Sequence, residues 1–466
     1  MTHGVINMEK IQGIMKYRQK ICLAIVIIML VLILLGCTSQ SPTPTPIAES
    51  STVKPTFTST FEPSPFPSPY RLPTNDSLIT STPFSKEGVY FYYISEGEIY
   101  RYHTSTNTEE IINLYSSSEI KNASISPNQR WLAYSDENGF FIDDMLNLYR
   151  SVTISNASSS TYGLLFDNSS NQIAFSDDEG LKIYNLQSKS SSIIFYNKNI
   201  IQNEFGEYIG DVSDFEQYSA GIWSPDSRWL WVYKSLWEGS SRLLIDLRSN
   251  KTYQFYSCNN SIDWLSSSNR FYTSVSAYGY EGCGNDDGIF LEQPSSKGTI
   301  DETSLFKASS PDDPYNRESE ELRLSPDEKR LCFVQGSNIY LKNPTYSIML
   351  MDTDGKNLTK IITSSEQIFS PFWSSDGTKI IFQQNNDKES SIKIVNTSNK
   401  NITTLISVPS HNNFLTQIEN SNWFLFGTKI KYANRFDALY LINLKDGSIE
   451  KIPLNGYRKI IGAFEN

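Results

Sequence analysis

Trp223-Ser224-Pro225-Asp226-Ser227-Arg228-Trp229-Leu230 decides the fold, because the same short phrase keeps returning along the chain. Clear copies are Ile125-Ser126-Pro127-Asn128-Gln129-Arg130-Trp131-Leu132, Leu324-Ser325-Pro326-Asp327-Glu328-Lys329-Arg330-Leu331 and Trp373-Ser374-Ser375-Asp376-Gly377-Thr378-Lys379-Ile380. The chemistry is that of a tight turn. Proline pre-sets the backbone of the second turn position, Asp or Asn bonds back to the main chain, and Gly tolerates positive φ. Each turn then opens an apolar strand, as in Lys379-Ile380-Ile381-Phe382, with one face left for a neighbouring sheet. Weaker copies begin at Phe166, Trp264 and Ile418, so successive starts are separated by 41, 57, 41, 60, 49 and 45 residues.

Each copy is followed by a second hairpin turn, in Leu350-Met351-Asp352-Thr353-Asp354-Gly355, Ile394-Val395-Asn396-Thr397-Ser398-Asn399 and Leu441-Ile442-Asn443-Leu444-Lys445-Asp446-Gly447. A unit therefore has four strands, a to d. Four antiparallel strands at this period predict an all-β fold built from β-propeller blades. A further unit opens the domain with strands over Val89 to Ile94, Glu98 to Tyr102 and Glu109 to Leu114, and it lacks strand a. The missing strand is available at the other end, in Lys459-Ile460-Ile461-Gly462-Ala463-Phe464. Pairing the N- and C-terminal strands in one blade closes the ring and removes its open edges. Eight blades are expected, with seven as the alternative should one weak unit be an insertion.

The coupling of Ser-Pro-Asp-Gly-Lys-type turns to strand-Asp-x-Asp-Gly turns resembles the TolB-like repeat, a WD-type propeller blade. The resemblance covers about four-fifths of the chain, residues 86–466. It implies a protein-interaction platform in a bacterial cell envelope. The family's soluble members carry an α/β domain before the propeller, whereas this chain begins differently.

Lys16, Arg18 and Lys20 precede the uncharged run Ile21 to Leu35, which ends in Leu34-Leu35-Gly36-Cys37. A basic segment, a short apolar core and a small residue before a cleavage point read as a secretory signal over 1–36. Leu-x-Gly-Cys resembles the lipobox of bacterial lipoproteins, which implies acylation of Cys37 and a membrane attachment through lipid. Acyl chains contribute about 0.8 kcal/mol per buried methylene, so several chains hold firmly. Residues 37–85 then form a tether. Ten of the chain's 20 prolines lie between Thr38 and Ser85, in Ser/Thr/Pro tracts that cannot bury a core. Extended polyproline of that length reaches about 150 Å.

Composition narrows the partners. With 27 Tyr, 25 Phe and 20% charged residues, the chain suits pleated, half-buried surfaces. Loss of the signal, with Lys10, Lys16, Arg18, Lys20 and Glu9, takes the formal charge from −11 to about −14. Such an acidic protein lacks the basic face that nucleic acid requires.

In an up-and-down blade the a–b and c–d turns lie on one face, and the b–c and d–a connections on the other. The a–b and c–d turns here are short. The long segments Tyr196 to Gly221, Lys234 to Ser240, Ala277 to Gly288, Lys307 to Arg323 and Gln335 to Tyr346 are b–c or d–a connections. Long loops gathered on one face mark a working surface. Its candidate binding residues are acidic and aromatic: Tyr208, Asp211, Asp214, Tyr218, Trp237, Tyr278, Tyr280, Asp286, Asp287 and Tyr315. They suit an envelope protein with a basic patch, a cell-wall glycan stacked on the rings or a calcium ion, against the plainer reading of a solvated rim with loop-anchoring tyrosines.

Cys258 and Cys283 fall in one blade of an exported chain, so a disulfide pinning the 277–288 loop is expected. Cys332, in Leu331-Cys332-Phe333, reads as a buried core thiol. Asp352-Thr353-Asp354-Gly355 has the look of a calcium loop but lacks the downstream bidentate Glu and sits where a hairpin turn wants Asp and Gly. No metal or other cofactor is expected. The chain has no Gly-x-Ser-x-Gly elbow, and its three histidines (His3, His103, His411) have no zinc or triad spacing. A binding scaffold is therefore expected rather than an enzyme. A carboxylate-pair glycoside hydrolase stays open as an alternative, since such a pair leaves no linear motif.

Overall fold

The computed structural model describes residues 88–465, apart from 113–117, 147–150, 156–160, 199–200, 203–207, 210–214, 237–238, 256–258, 267–269, 276–287, 308–316, 340–342, 410–411, 419–420, 430–435 and 455–458. The chain divides after Leu78 into two units, and all described residues lie in the second. The expected signal (1–36), Cys37 and the tether (37–85) fall outside them.

Eight four-stranded antiparallel sheets form among the described residues, with one two-stranded hairpin and no helix. Blade 1 has the order Thr108–Ile111, Glu98–His103, Val89–Ser95, Lys459–Glu465. The last strand of the chain thus supplies the innermost strand of the first blade, pairing Val89 with Glu465 and Ile94 with Lys459. Eight blades with this closure are what the repeats predicted. Blades 2 to 8 begin with inner strands Asn122–Ile125, Tyr162–Phe166, Glu216–Trp223, Asn259–Trp264, Arg317–Leu324, Gln367–Trp373 and Asn412–Gln417.

The repeated turn works as its chemistry requires. Ser126, Ser224, Ser325 and Ser374 each donate Oγ–H to the carboxylate or amide oxygen two residues on, at 2.6–2.7 Å. The same Oγ accepts the N–H that opens strand b, from Trp131, Trp229, Arg330 and Lys379, at 2.9–3.0 Å. The fourth turn residue is left-handed in every clear copy, at Gln129, Ser227, Glu328 and Gly377. In the weak copy at Phe166, Asp167 replaces the serine and its Oδ1 accepts the N–H groups of Asn171 and Gln172. Arg130 and Arg228 then clamp the far end of strand c through bidentate bonds to Asp144 and Asp246, with each guanidinium 4.7 Å above the adjacent Trp131 or Trp229 ring.

Alternation along strand b fills the seams between blades. Leu230 and Val232 pack towards blade 3 with Ala174 and Ile183, while Trp229 and Trp231 pack towards blade 5 with Ile262, Trp264 and Phe271. Leu331 and Phe333 face blade 5, and Cys332 and Val334 face blade 7. Each of the eight apolar clusters is one seam, and the last joins Val89, Phe91 and Tyr93 to Leu425, Leu439 and Leu441 of blade 8. Indoles stitch neighbours further: Trp223 Nε1 donates to Leu165 O and Trp373 Nε1 to Arg323 O, both at 3.2 Å.

Candidate functional site

The strand order puts the b–c and d–a connections on one face. Between blades 3 and 4, a d–a connection carries the small hairpin Ile201–Gln202 and Tyr208–Ile209. The b–c connection of blade 5 (276–287), the d–a connection from blade 5 to blade 6 (308–316) and the b–c connection of blade 6 leave from the same side. Several are shorter than their sequence suggested. Strands b and c of blade 4 run through Trp229–Leu236 and Gly239–Asp246, so the expected 234–240 loop reduces to Trp237 and Glu238 between two long strands. Strand a of blade 6 begins at Arg317, and strand b of blade 6 continues to Ser337.

Of the candidate binding residues, Tyr218 is the one whose side chain is described, and it belongs to the fold. It is buried in the seam of blades 3 and 4, stacked on Phe195 with ring centroids 4.8 Å apart. Its hydroxyl donates to Glu216 Oε2 at 2.7 Å. The last part of the expected 196–221 connection is strand Glu216–Trp223, and alternation sends Tyr218 inwards. Tyr208 is placed by its backbone, paired with Gln202. Asp211, Asp214, Trp237, Tyr278, Tyr280, Asp286, Asp287 and Tyr315 lie outside the described residues, as do Cys258 and Cys283.

Glu216 anchors the root of the inserted hairpin. Its backbone exchanges two hydrogen bonds with Lys198, at 2.8 and 2.9 Å. Its carboxylate takes Lys234 Nζ at 2.6 Å and Lys198 Nζ at 3.3 Å. Burial alone would raise this carboxyl, but the bonds from Lys234, Tyr218 and Lys198 prevail and take it down to about 2. The connection that departs from the blade face is thus held by a charged knot at its base.

Beside this root the seam between blades 4 and 5 opens. A cavity of about 430 Å³ is lined there by Ile222, Trp231, Tyr233 and Arg242 of blade 4, Ser261 and Ile262 of blade 5, and Glu320, Glu321 and Arg323 of blade 6. None of its charged residues was singled out from the sequence. A second cavity of about 360 Å³ adjoins it at Arg323 and runs past Asp263 to Phe372 and Gln417. Burial raises the Asp263 carboxyl although the N–H of Leu324 donates to it at 2.8 Å.

Cys332 is free, fully buried in the seam of blades 6 and 7, and its thiol is pushed well up by burial. At the calcium-like turn, Asn357 donates to Asp352 Oδ2 and Lys356 bonds Asp354 Oδ2, both at 2.6 Å, so the two carboxylates serve the hairpin.

No protein-family model matches the chain. Two curated proteins match short stretches. The Tol-Pal system protein TolB of Methylococcus capsulatus is 42% identical over 52 residues, 11% of this chain and 12% of that protein. The Tol-Pal system protein TolB of Blochmanniella floridana is 36% identical over 67 residues, 14% of this chain and 15% of its own length. The chain is a β-propeller, TolB-like in these stretches. The matched stretches span less than a sixth of the curated relatives, so nothing of their assembly transfers with the fold. The TolB-like ring is also similar to the Porphyromonas gingivalis dipeptidyl peptidase 4 structure, with a TM-score of 0.53 and 11% identity, covering 78% of this chain and 58% of that one. It is similar to a eukaryotic initiation factor structure as well, with a TM-score of 0.50 and 14% identity over 82% of this chain and 98% of that one. At these identities the TolB-like propeller shares a fold with both and no activity follows from either.

Proposed function

We propose that this chain is a lipid-anchored, extracytoplasmic propeller that docks an envelope protein on the face from which its b–c and d–a connections depart. The observation that carries the reading is the one-sidedness of the insertions, with the Ile201–Ile209 hairpin rooted on Glu216 by two lysines. The a–b and c–d turns that are described are short and bonded, and a face of such turns has little with which to choose a partner. Cys37 and the tether would hold the propeller at a membrane while letting it search the adjoining space. The name of the TolB relatives, a Tol-Pal system protein, is in keeping with an envelope role.

The test is a cross-linked pull-down from native envelopes with the full-length chain, against a variant with Tyr208, Trp237 and Tyr315 changed to alanine. One stoichiometric protein, lost with the variant, supports docking on this face. Equal capture by both proteins moves the site elsewhere. Saturable binding of cell-wall glycan without a protein partner favours a glycan sensor, and turnover of that glycan favours the carboxylate hydrolase.

A further inference from the structure

The opening between blades 4 and 5 has a packing cause. At its a–b end the seam is filled by six rings: Trp229, Trp231, Tyr253 and Phe255 against Trp264 and Phe271. Trp231 and Phe271 meet edge-on with centroids 6.1 Å apart, and Trp264 and Phe271 lie 4.7 Å apart. Beyond Trp231, strand b of blade 4 continues with Tyr233, paired to Arg242, and the cavity lies against both. Both residues stand three places from the b–c turn, so the seam opens towards the face with the inserted connections. Ile222 and Tyr233 are left 39% and 36% exposed, which is unusual for large apolar groups inside a seam. Gly221 lets both rings approach strand a: a Cβ there would lie 2.7 Å from Tyr233 Cε2 and 2.8 Å from Trp231 Cδ1.

Arg242, Glu320, Glu321 and Arg323 bring four charges to the wall of this space beside its apolar residues, and Arg242 and Glu321 are in no ion pair among the described residues. Arg242 sits 4.6 Å over the Tyr233 ring and donates to Ser240 Oγ at 3.0 Å and Ser241 O at 3.2 Å. Among the described residues its other donors meet no acceptor, and burial holds it below the ordinary guanidinium range. Glu321 is the counterpart. It sits in a bulge of the inner strand of blade 6 with φ +55°. In the matching bulges of blades 3 and 7 the left-handed residue is Gly163 or Ser370. Glutamate is disfavoured in this conformation, because Cβ crowds the following carbonyl. A strained charged residue on a cavity wall is a place to look for a ligand.

We propose that this cavity binds a zwitterionic amino acid or dipeptide with an apolar or aromatic side chain, its carboxylate on Arg242, its ammonium on Glu321 and its side chain against Ile222, Trp231 and Tyr233. The volume fits: about 430 Å³ is at the small end of ligand pockets. Charge-assisted bonds at the two ends fix orientation, and the rings between them supply the apolar contact. The site stands apart from protein docking, and either can fail without the other.

The test titrates the full-length chain in detergent with L-phenylalanine and L-leucyl-L-phenylalanine, followed by tryptophan fluorescence and calorimetry. N-acetyl and C-terminal amide forms of each probe are run in parallel. The expected result is one saturable site, weakened at least tenfold by blocking either terminus of the probe. Arg242→Gln and Glu321→Gly each weaken it at least tenfold, while Glu321→Gly raises the melting temperature by removing the left-handed glutamate. That opposite movement of stability and binding is not produced by a merely structural glutamate. Absence of saturable binding by both free probes overturns the proposal. So does equal binding of the blocked forms, or full binding by the Glu321→Gly protein.

Discussion

Removing residues 459–466 opens the ring at its one non-covalent junction, and the loss can be worked from the pairing. Strand Lys459–Glu465 is the inner strand of blade 1, paired along Val89 to Ile94. Ile460 and Ala463 pack into the seam with blade 8, and Ile461 and Phe464 into the seam with blade 2. All four are partly buried. Full burial of a large apolar side chain contributes roughly 1.5–3 kcal/mol, so half-burial of Ile460, Ile461 and Phe464 contributes about 3 kcal/mol together. The ladder bonds add about 3 kcal/mol, taken at the low end because the freed groups of Val89–Ser95 meet water. A loss of about 6 kcal/mol is a large share of the 5–15 kcal/mol typical of folded domains. Trp423 also loses its 3.1 Å bond to Glu465. Urea titration followed by tryptophan fluorescence reads the change. The truncated protein is expected to unfold at a far lower urea concentration, and a peptide of residues 459–466 added in excess is expected to restore part of the loss. A truncated protein with the full-length midpoint and slope would refute the closure.

Acid should find the clamps first. Asp246 is held well below the usual carboxylate range by its bonds from Arg228, and Glu216 is held at about 2 against the pull of burial. Both folded values lie below the unfolded ones, so their stabilisation is present above about pH 4 and is lost as pH falls towards those folded values. Asp246→Asn is expected to lose about 1–3 kcal/mol at pH 7 and to show a flatter decline between pH 4 and 2, read from urea midpoints. A decline as steep as the unmodified protein's counts against the clamp. Cys332 is expected to ignore a thiol reagent in the native protein and to react once urea unfolds it; rapid native labelling at Cys332 contradicts its burial. A Cys258–Cys283 disulfide is expected in the exported protein, seen as a linked peptide on non-reducing digestion. Its removal should cost about 3 kcal/mol for a loop of that size.

The architecture was legible because its turns are chemistry in linear order. Ser224, Asp226 and Arg228 do their work within five residues, and the spacing of such turns counts the blades before any packing is known. Closure was legible for a similar reason, since a blade missing strand a and a spare strand at Lys459–Glu465 imply each other. Strand a was harder to see. It precedes the turn motif, and a bulge interrupts it in blades 3, 4, 5, 6 and 7, between Ala220 and Ile222 in blade 4 and between Glu320 and Arg323 in blade 6. A bulge breaks the two-residue alternation by which a strand is recognised. That is why Tyr218 read as a loop tyrosine, although it faces Phe195 across a seam.

The cavity residues were hidden by the same irregularity. Arg242 lies in a strand of otherwise ordinary pattern, and its meaning appears once Tyr233 is found opposite and no ion pair holds it among the described residues. Glu321 did leave a signal. Aligning the inner strands on their turn motifs puts it in the column of Gly163 and Ser370, where a glutamate is out of place. Repeat proteins allow that comparison within a single chain: positions that obey the repeat report the fold, and positions that depart from it at an energetic disadvantage point to work the fold alone does not require. By that criterion Glu321 is one departure that points beyond the fold, on the inner strand of blade 6 and lining a space that blades 4 and 5 leave open.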